Sequence, residues 1–96
     1  MDFQVRISEP ALAELEGIIE YSWANFPATA ERFGNALLNH LDILRTFPYI
    51  GSPVTGWLGV RQLVHTPILI YYRVREDSNV VEVLHFWHRA RKDPPL

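Results

Sequence analysis

Cysteine is absent and lysine nearly so, with Lys92 the only one in 96 residues. Without thiols the chain has neither disulfides nor thiolate metal sites, and a reducing cytoplasm is the expected compartment. No apolar run approaches membrane-spanning length, and the opening Met1-Asp2-Phe3-Gln4-Val5-Arg6 has neither the basic start nor the apolar stretch of a signal peptide. A large charge of either sign is also missing. The net charge of −2 argues against a general nucleic-acid binder, whose affinity comes from neutralising phosphates. What the chain does have is 48% hydrophobic residues with three Trp, four Tyr and five Phe, enough for one globular core and too much for disorder.

The charge is unevenly spread. Residues 1–57 carry three arginines against seven carboxylates, whereas residues 58–96 carry six cations against four. The carboxy-terminal part is thus the cationic one, although ordinary solvated charge accounts for so small an excess equally well.

Phe3, Val5 and Ile7 alternate with polar residues, the period of a half-buried strand. Ser8 is a good helix cap, with Glu9 and Pro10 suited to the first turn. Leu12, Leu15, Ile19, Trp23 and Phe26 recur at helical spacing and predict an amphipathic helix whose outer side carries Glu14, Glu16 and Glu20. Pro27 ends it near Phe26. Ala30, Phe33, Leu37, Leu41 and Leu44 form a second stripe running to Phe47, where Pro48 halts it, so the two helices make an antiparallel hairpin. Tyr49 to Gly56 reads as a loop. Three strand-like runs follow, within 58–65, 67–75 and 80–91, the last two joined by a turn at Glu76-Asp77-Ser78-Asn79 that lacks glycine. The expected fold is α+β in the order β-α-α-β-β-β, a helical hairpin on one face of a mostly antiparallel four-stranded sheet, with the other face open to a partner. Residues 1–91 make one domain and 92–96 a flexible tail, within a cationic end from Arg89 to Leu96 that a partner would order.

Strict alternation groups Tyr71, Arg73 and Arg75 on one face, Arg61, Leu63 and His65 on one face, and Glu82, Leu84, Phe86 and His88 on one face, with Val83, His85 and Trp87 opposite. Arg61, Arg73 and His88 are the polar side chains that could converge on such a sheet, a point that parity alone does not decide. His85 and His88 are three apart, which on a strand sends them to opposite faces, so they are not read as a metal pair and no metal or cofactor is expected.

The ordered pieces Ser8 to Tyr21, Ala30 to Leu37, Phe47 to Gly51, Gly59 to Leu63, Ile70 to Val74 and Val83 to Arg91 together resemble the RelE/ParE superfamily of bacterial type II toxins. The likeness covers nearly the whole chain and is closer to the ParE branch, whose final strand commonly ends in a His-x-x-Arg pattern, here His88 to Arg91. It implies the toxin of a plasmid-stabilisation type module, neutralised by a cognate antitoxin. It also implies one of two targets, DNA gyrase for ParE-like members or the ribosome and its messenger RNA for RelE-like ones. Target contact is expected at Arg61, Arg73, His88 and Arg91.

RNA cleavage needs a base for the 2′-hydroxyl and cations for the phosphate. Arginine cannot be that base, which leaves His88, His65 or Glu82, with His88, Arg61 and Arg73 as the catalytic set if the chain is a nuclease. RelE-like nucleases typically add lysines near the second strand, and this chain has none there. That lack and the acidic balance favour gyrase inhibition, which requires a complementary surface and no proton transfer. A third reading is an inactive or regulatory binder on the same scaffold. An apolar stripe left uncovered favours self-association, so a homodimer of the isolated chain is also expected.

These residues have plainer roles to weigh as well. His88 is an ordinary hydrogen-bonded surface histidine, Arg73 stacks on Tyr71 or Tyr72, Arg61 anchors the preceding loop through carbonyls, and Trp57 and Trp87 pack in the core or an interface.

Overall fold

The computed structural model describes residues 2–91. Strand β1 (Gln4–Ile7) leads into α1 (Glu9–Asn25) and α2 (Pro27–Asp42), followed by one 3-10 turn over Ile43–Arg45. Strands β2 (Ser52–Pro53), β3 (Val60–His65), β4 (Ile68–Arg75) and β5 (Val80–His88) complete the chain order. The expected α+β layering is present, but the sheet has five strands in the order β1-β5-β4-β3-β2, and it is mixed because β1 runs parallel to β5. The extra strand is the two-residue β2 inside what reads as loop, where Pro53 is tolerated because it lies on a sheet edge. The tail expected over 92–96 lies outside the described residues.

The helical hairpin turns on a single residue. Ser8 caps α1, its hydroxyl accepting from the Ala11 N–H at 3.3 Å. Pro27 disfavours helical geometry at Phe26, which takes φ −139° and separates the helices, while Pro27 itself fits the first turn of α2.

The core lies between the hairpin and one sheet face. Leu37, Leu41 and Leu44 reach it from α2 and the turn after it, and Leu63, Ile70, Tyr72, Val81, Val83 and Phe86 reach it from the sheet. The α2 stripe is therefore as expected. The α1 stripe is rotated from expectation: Ala11, Leu15 and Ser22 are buried, whereas Leu12, Trp23 and Phe26 are exposed. Small Ala11 and Ser22 sit at the buried contact, and α1 has apolar residues on more than one side, so the large side chains alone misdirect the stripe.

Two local features fix the sheet. Gly51 donates its N–H to the buried Tyr72 hydroxyl at 2.9 Å, and a Cβ there would lie 2.6 Å from that oxygen and 2.7 Å from the Gln62 carbonyl oxygen. Only glycine fits such an approach. Burial pushes the Tyr72 phenol upward and keeps it protonated. In the β4–β5 turn, Asn79 takes φ 53°, supplying the left-handed position for which no glycine is present.

Candidate partner-binding site

The two halves of β5 have different neighbours. Val80 to Val83 pair with β1 on one edge and with β4 on the other. Beyond Ile7 the first strand gives way to the helix: the Ser8 N–H donates to the Val83 carbonyl at 3.0 Å, and the Ser8 hydroxyl donates to the Leu84 carbonyl at 3.3 Å. Past that point the edge of β5 faces α1. Glu14 takes over there, its carboxylate accepting the Phe86 N–H at 3.2 Å and meeting His85 Nδ1 at 3.1 Å. A strand edge that leaves its N–H groups unpaired is costly when half-buried, and Glu14 removes that cost for Phe86. Glu14 therefore does not belong to the solvated outer side of the helix, in contrast to the sequence expectation.

A bulge at the same place resets the alternation. Tyr71 is opposite His85 but Tyr72 is opposite Val83, leaving Leu84 as the extra residue. Val81, Val83, Phe86 and His88 consequently share the helix-covered face with Ile68, Ile70, Tyr72 and Val74, while Glu82, His85 and Trp87 turn to the opposite one. The expected grouping of Glu82 with Phe86 and His88 fails because one inserted residue inverts every position after it.

The cations named from the sequence do not converge. Arg61 is opposite Tyr72 and Arg73 is opposite Val60, so the two guanidinium groups leave opposite faces of the sheet. Arg61 donates to the Tyr49 carbonyl at 3.2 Å and the Gly51 carbonyl at 2.8 Å, with its guanidinium 5.0 Å from the Tyr49 ring centroid. It is an anchor for the loop, as its plainer reading has it. Tyr49 in turn donates its hydroxyl to Glu76. Arg73 is opposite Glu82 across β5, yet Glu82 is engaged by Arg75 at 3.2 Å. His88 is opposite Ile68, at the far end of β4 from Tyr72. The fold thus does not bring His88, Arg61 and Arg73 to one point.

His88 and Arg91, by contrast, belong together. The His88 Nδ1 accepts from the Ala90 N–H at 3.1 Å, and the His88 carbonyl accepts from the Arg91 N–H at 2.9 Å. With Nδ1 accepting, neutral His88 carries its proton on Nε2, so it presents a donor and has no free lone pair for a base. The Arg89 N–H donates to the Pro67 carbonyl at 2.9 Å, and the Arg91 guanidinium lies 5.4 Å from the Trp87 ring centroid. Residues 89–91 are therefore a fastened turn, and the expected mobile cationic end does not begin at Arg89. Of the other two base candidates, Glu82 is paired with Arg75, and His65 meets His40 on α2, with Nδ1 atoms 2.8 Å apart. Burial first, and the His40 charge second, hold His65 below the usual histidine range.

Between the amino-terminal part of α2, the inner side of α1 and the end of β5 lies an open groove of about 880 Å³. Its walls are mostly apolar, including Ile18, Tyr21, Phe26, Phe33, Ile68 and Phe86, and its polar lining includes Glu14, His88 and Arg91. A groove of this kind suits the apolar face of a helix. An apolar groove beside the helical hairpin is what the family resemblance implies, but its lining was not legible, because Phe26 reads as part of the buried stripe of α1. Tyr21 and Phe26 are instead 62% and 58% exposed, which leaves an apolar surface uncovered. No helix among the described residues is long and apolar enough to cross a membrane.

Three solved structures have the same fold. The chromosomal ParDE toxin–antitoxin system from P. aeruginosa contains a chain with a TM-score of 0.77 and 19% identity, the likeness covering 90% of this chain and 95% of that one. The RelBE2 toxin–antitoxin complex from Mycobacterium tuberculosis gives 0.66 and 19%, covering 93% and 100%. The archaeal RelE-RelB complex from Pyrococcus horikoshii gives 0.66 and 20%, covering 96% and 100%. No curated protein matches the sequence. The family model for the ParE toxin of the type II toxin–antitoxin system parDE matches residues 5–93, and with that match over most of its length the chain belongs to the ParE toxin family.

Proposed function

We propose that this ParE-family toxin acts by inhibiting DNA gyrase and is held inactive by a cognate antitoxin that lays an apolar segment into the α1–α2 groove. The observation that carries the gyrase reading is the separation of the would-be nuclease residues. Arg61 and Arg73 leave opposite sheet faces, Arg61 is committed to backbone carbonyls, and the lone pair of His88 Nδ1 is already occupied. Self-cleavage of RNA needs a base and phosphate-binding cations within reach of one another. Inhibition by binding needs only a complementary surface.

Target contact then falls to cations with little internal work. Arg73 has no hydrogen bond or ion pair among the described residues, and the Arg91 guanidinium stacks on Trp87. His88 offers an Nε2 donor beside Arg91, while Arg61 acts by shaping the loop. The antitoxin is supported by the structural neighbours described above, each of which is a toxin–antitoxin structure.

The test is supercoiling of relaxed plasmid by purified gyrase with increasing toxin. Inhibition that is relieved when antitoxin is added supports the reading, and supercoiling unaffected at saturating toxin overturns it. Cleavage of ribosome-bound transcripts, abolished by His88→Ala, would replace it with the RelE-like nuclease. Normal growth on induction would favour an inactive binder.

A further inference from the structure

The loop between β2 and β3 carries the most exposed large hydrophobic side chain among the described residues, Leu58 at 97%, with Trp57 beside it at 39%. Its backbone is nonetheless fastened. The Trp57 N–H donates to the Val54 carbonyl at 3.1 Å, the Val60 N–H to the Trp57 carbonyl at 3.0 Å, and the Val54 N–H to the Val60 carbonyl at 3.0 Å. The first two bonds close consecutive turns over 54–57 and 57–60. The third residue of each is a glycine in the left-handed region, Gly56 at φ 84° and Gly59 at φ 78°, as a type II turn requires. Leu58 is the second residue of the second turn and projects into solvent from a held backbone.

A single exposed leucine is ordinary, but the charge around this one points the same way. Residues 43–75 contain no Asp or Glu, and their charged residues are Arg45, Arg61, Arg73 and Arg75. The next carboxylate along the chain, Glu76, is taken up by the Tyr49 hydroxyl. Arg73, which has no hydrogen bond or ion pair among the described residues, is opposite Val60, and a Cβ built on Gly59 would lie 3.7 Å from its Nε. Its guanidinium stem therefore rests against the base of the loop. Arg61 lines the shallow hollow beneath Trp57 and Leu58.

We propose that the Trp57-Leu58 tip, with Arg73 at its base, is a contact element for the target protein and fits an apolar pocket bordered by carboxylates on that protein's surface. This rests on the reading of the chain as a toxin that acts by binding gyrase. Trp and Arg are the residue types in which binding energy concentrates, and a loop already held in place loses little freedom on docking. A cation beside an apolar tip selects an acidic partner. The tip is also remote from the groove. Val60 begins β3 at the tip, whereas Pro67 and Ile68, beyond the far end of β3, line the groove, and a six-residue strand spans about 20 Å. The target surface then runs from the tip to Arg91, and an antitoxin segment in the groove covers only the Arg91 end.

The experiment compares full-length wild type, Trp57→Ala, Leu58→Ser and Arg73→Gln with Leu38→Ser, an exposed leucine on α2 that lines neither the tip nor the groove. Supercoiling inhibition, antitoxin affinity by calorimetry, sedimentation and growth arrest on induction are measured on each. The proposal expects the three tip variants to need about tenfold more toxin for half-inhibition, with antitoxin affinity kept and Leu38→Ser like the wild type. Inhibition by the tip variants at wild-type concentrations would overturn it while leaving the gyrase reading in place. If the wild type leaves gyrase unaffected, that reading fails and growth arrest decides the tip: arrest lost in the tip variants alone supports it, and arrest undiminished, or absent in the wild type, overturns it. A tenfold loss of antitoxin affinity, or a wild-type dimer that Leu58→Ser turns into a monomer, would assign the tip to another occupant and overturn it as well. Leu58→Ser alters only a solvated side chain, so it carries the test even if Trp57→Ala fails to fold.

Discussion

In β5, residues 80–83 lie between two strands, whereas residues 84–88 lie between a strand and a helix. In the first half the backbone is paired on both edges, so the side chains need only pack, and Val81 and Val83 are fully buried. In the second half the outer edge has no strand, so Ser8 and Glu14 supply the hydrogen bonds. Backbone pairing is indifferent to sequence; side-chain pairing brings charge and titratable groups with it. His85, His88, the Glu14 carboxylate and the groove all gather on the half that β1 leaves uncovered.

That contrast can be broken by mutation. The largest effect is expected for Phe86→Ala, which empties a fully buried position beside the groove and should cost about 4 kcal/mol in urea unfolding. A loss near zero would mean that the second half does not belong to the core. Val83→Ala, in the doubly paired half, should cost about 2 kcal/mol while leaving antitoxin affinity of the folded protein unchanged by calorimetry. Glu14→Ala should cost about 1.5 kcal/mol by stranding the Phe86 N–H, and Glu14→Gln should recover part of that because it keeps an acceptor. Equal stability of Glu14→Ala and wild type would refute its role at the edge. Arg91→Ala should change stability by less than about 0.5 kcal/mol, yet raise the toxin concentration needed to inhibit supercoiling, which makes it the sharpest test of where scaffold ends and contact surface begins.

How much of this was legible in the sequence varied with how local the cause was. The second helix was readable because Ala30, Leu37, Leu41 and Leu44 form one stripe, and the hinge at Phe26 because a proline follows it. The first helix was read with the wrong face, since Ala11 and Ser22, the residues at its buried contact, carry little hydrophobic signal. The family resemblance was legible from the order of short strings along the chain, none of which is distinctive alone. The site was not. A single extra residue at Leu84 inverts the facing of everything after it, and no periodicity reveals a bulge in advance. Arg61 and Arg73 looked like companions because both sit among β-formers, but cross-strand register, a long-range property, sends them apart. The partnership of Glu14 with β5 spans 72 residues and depends on where β1 stops.

The parallel pairing of β1 with β5 also bears on how the protein is made. β5 follows every other element in the chain and sits between β1 and β4, so neither the first strand nor the inner face of the helical hairpin can find its seat until residues 80–88 have left the ribosome. Contacts between such distant parts of a chain form slowly. In a newly made copy the groove between α1, α2 and β5 is therefore the last feature to be completed, because Phe86 and His88, which line it, belong to the final strand.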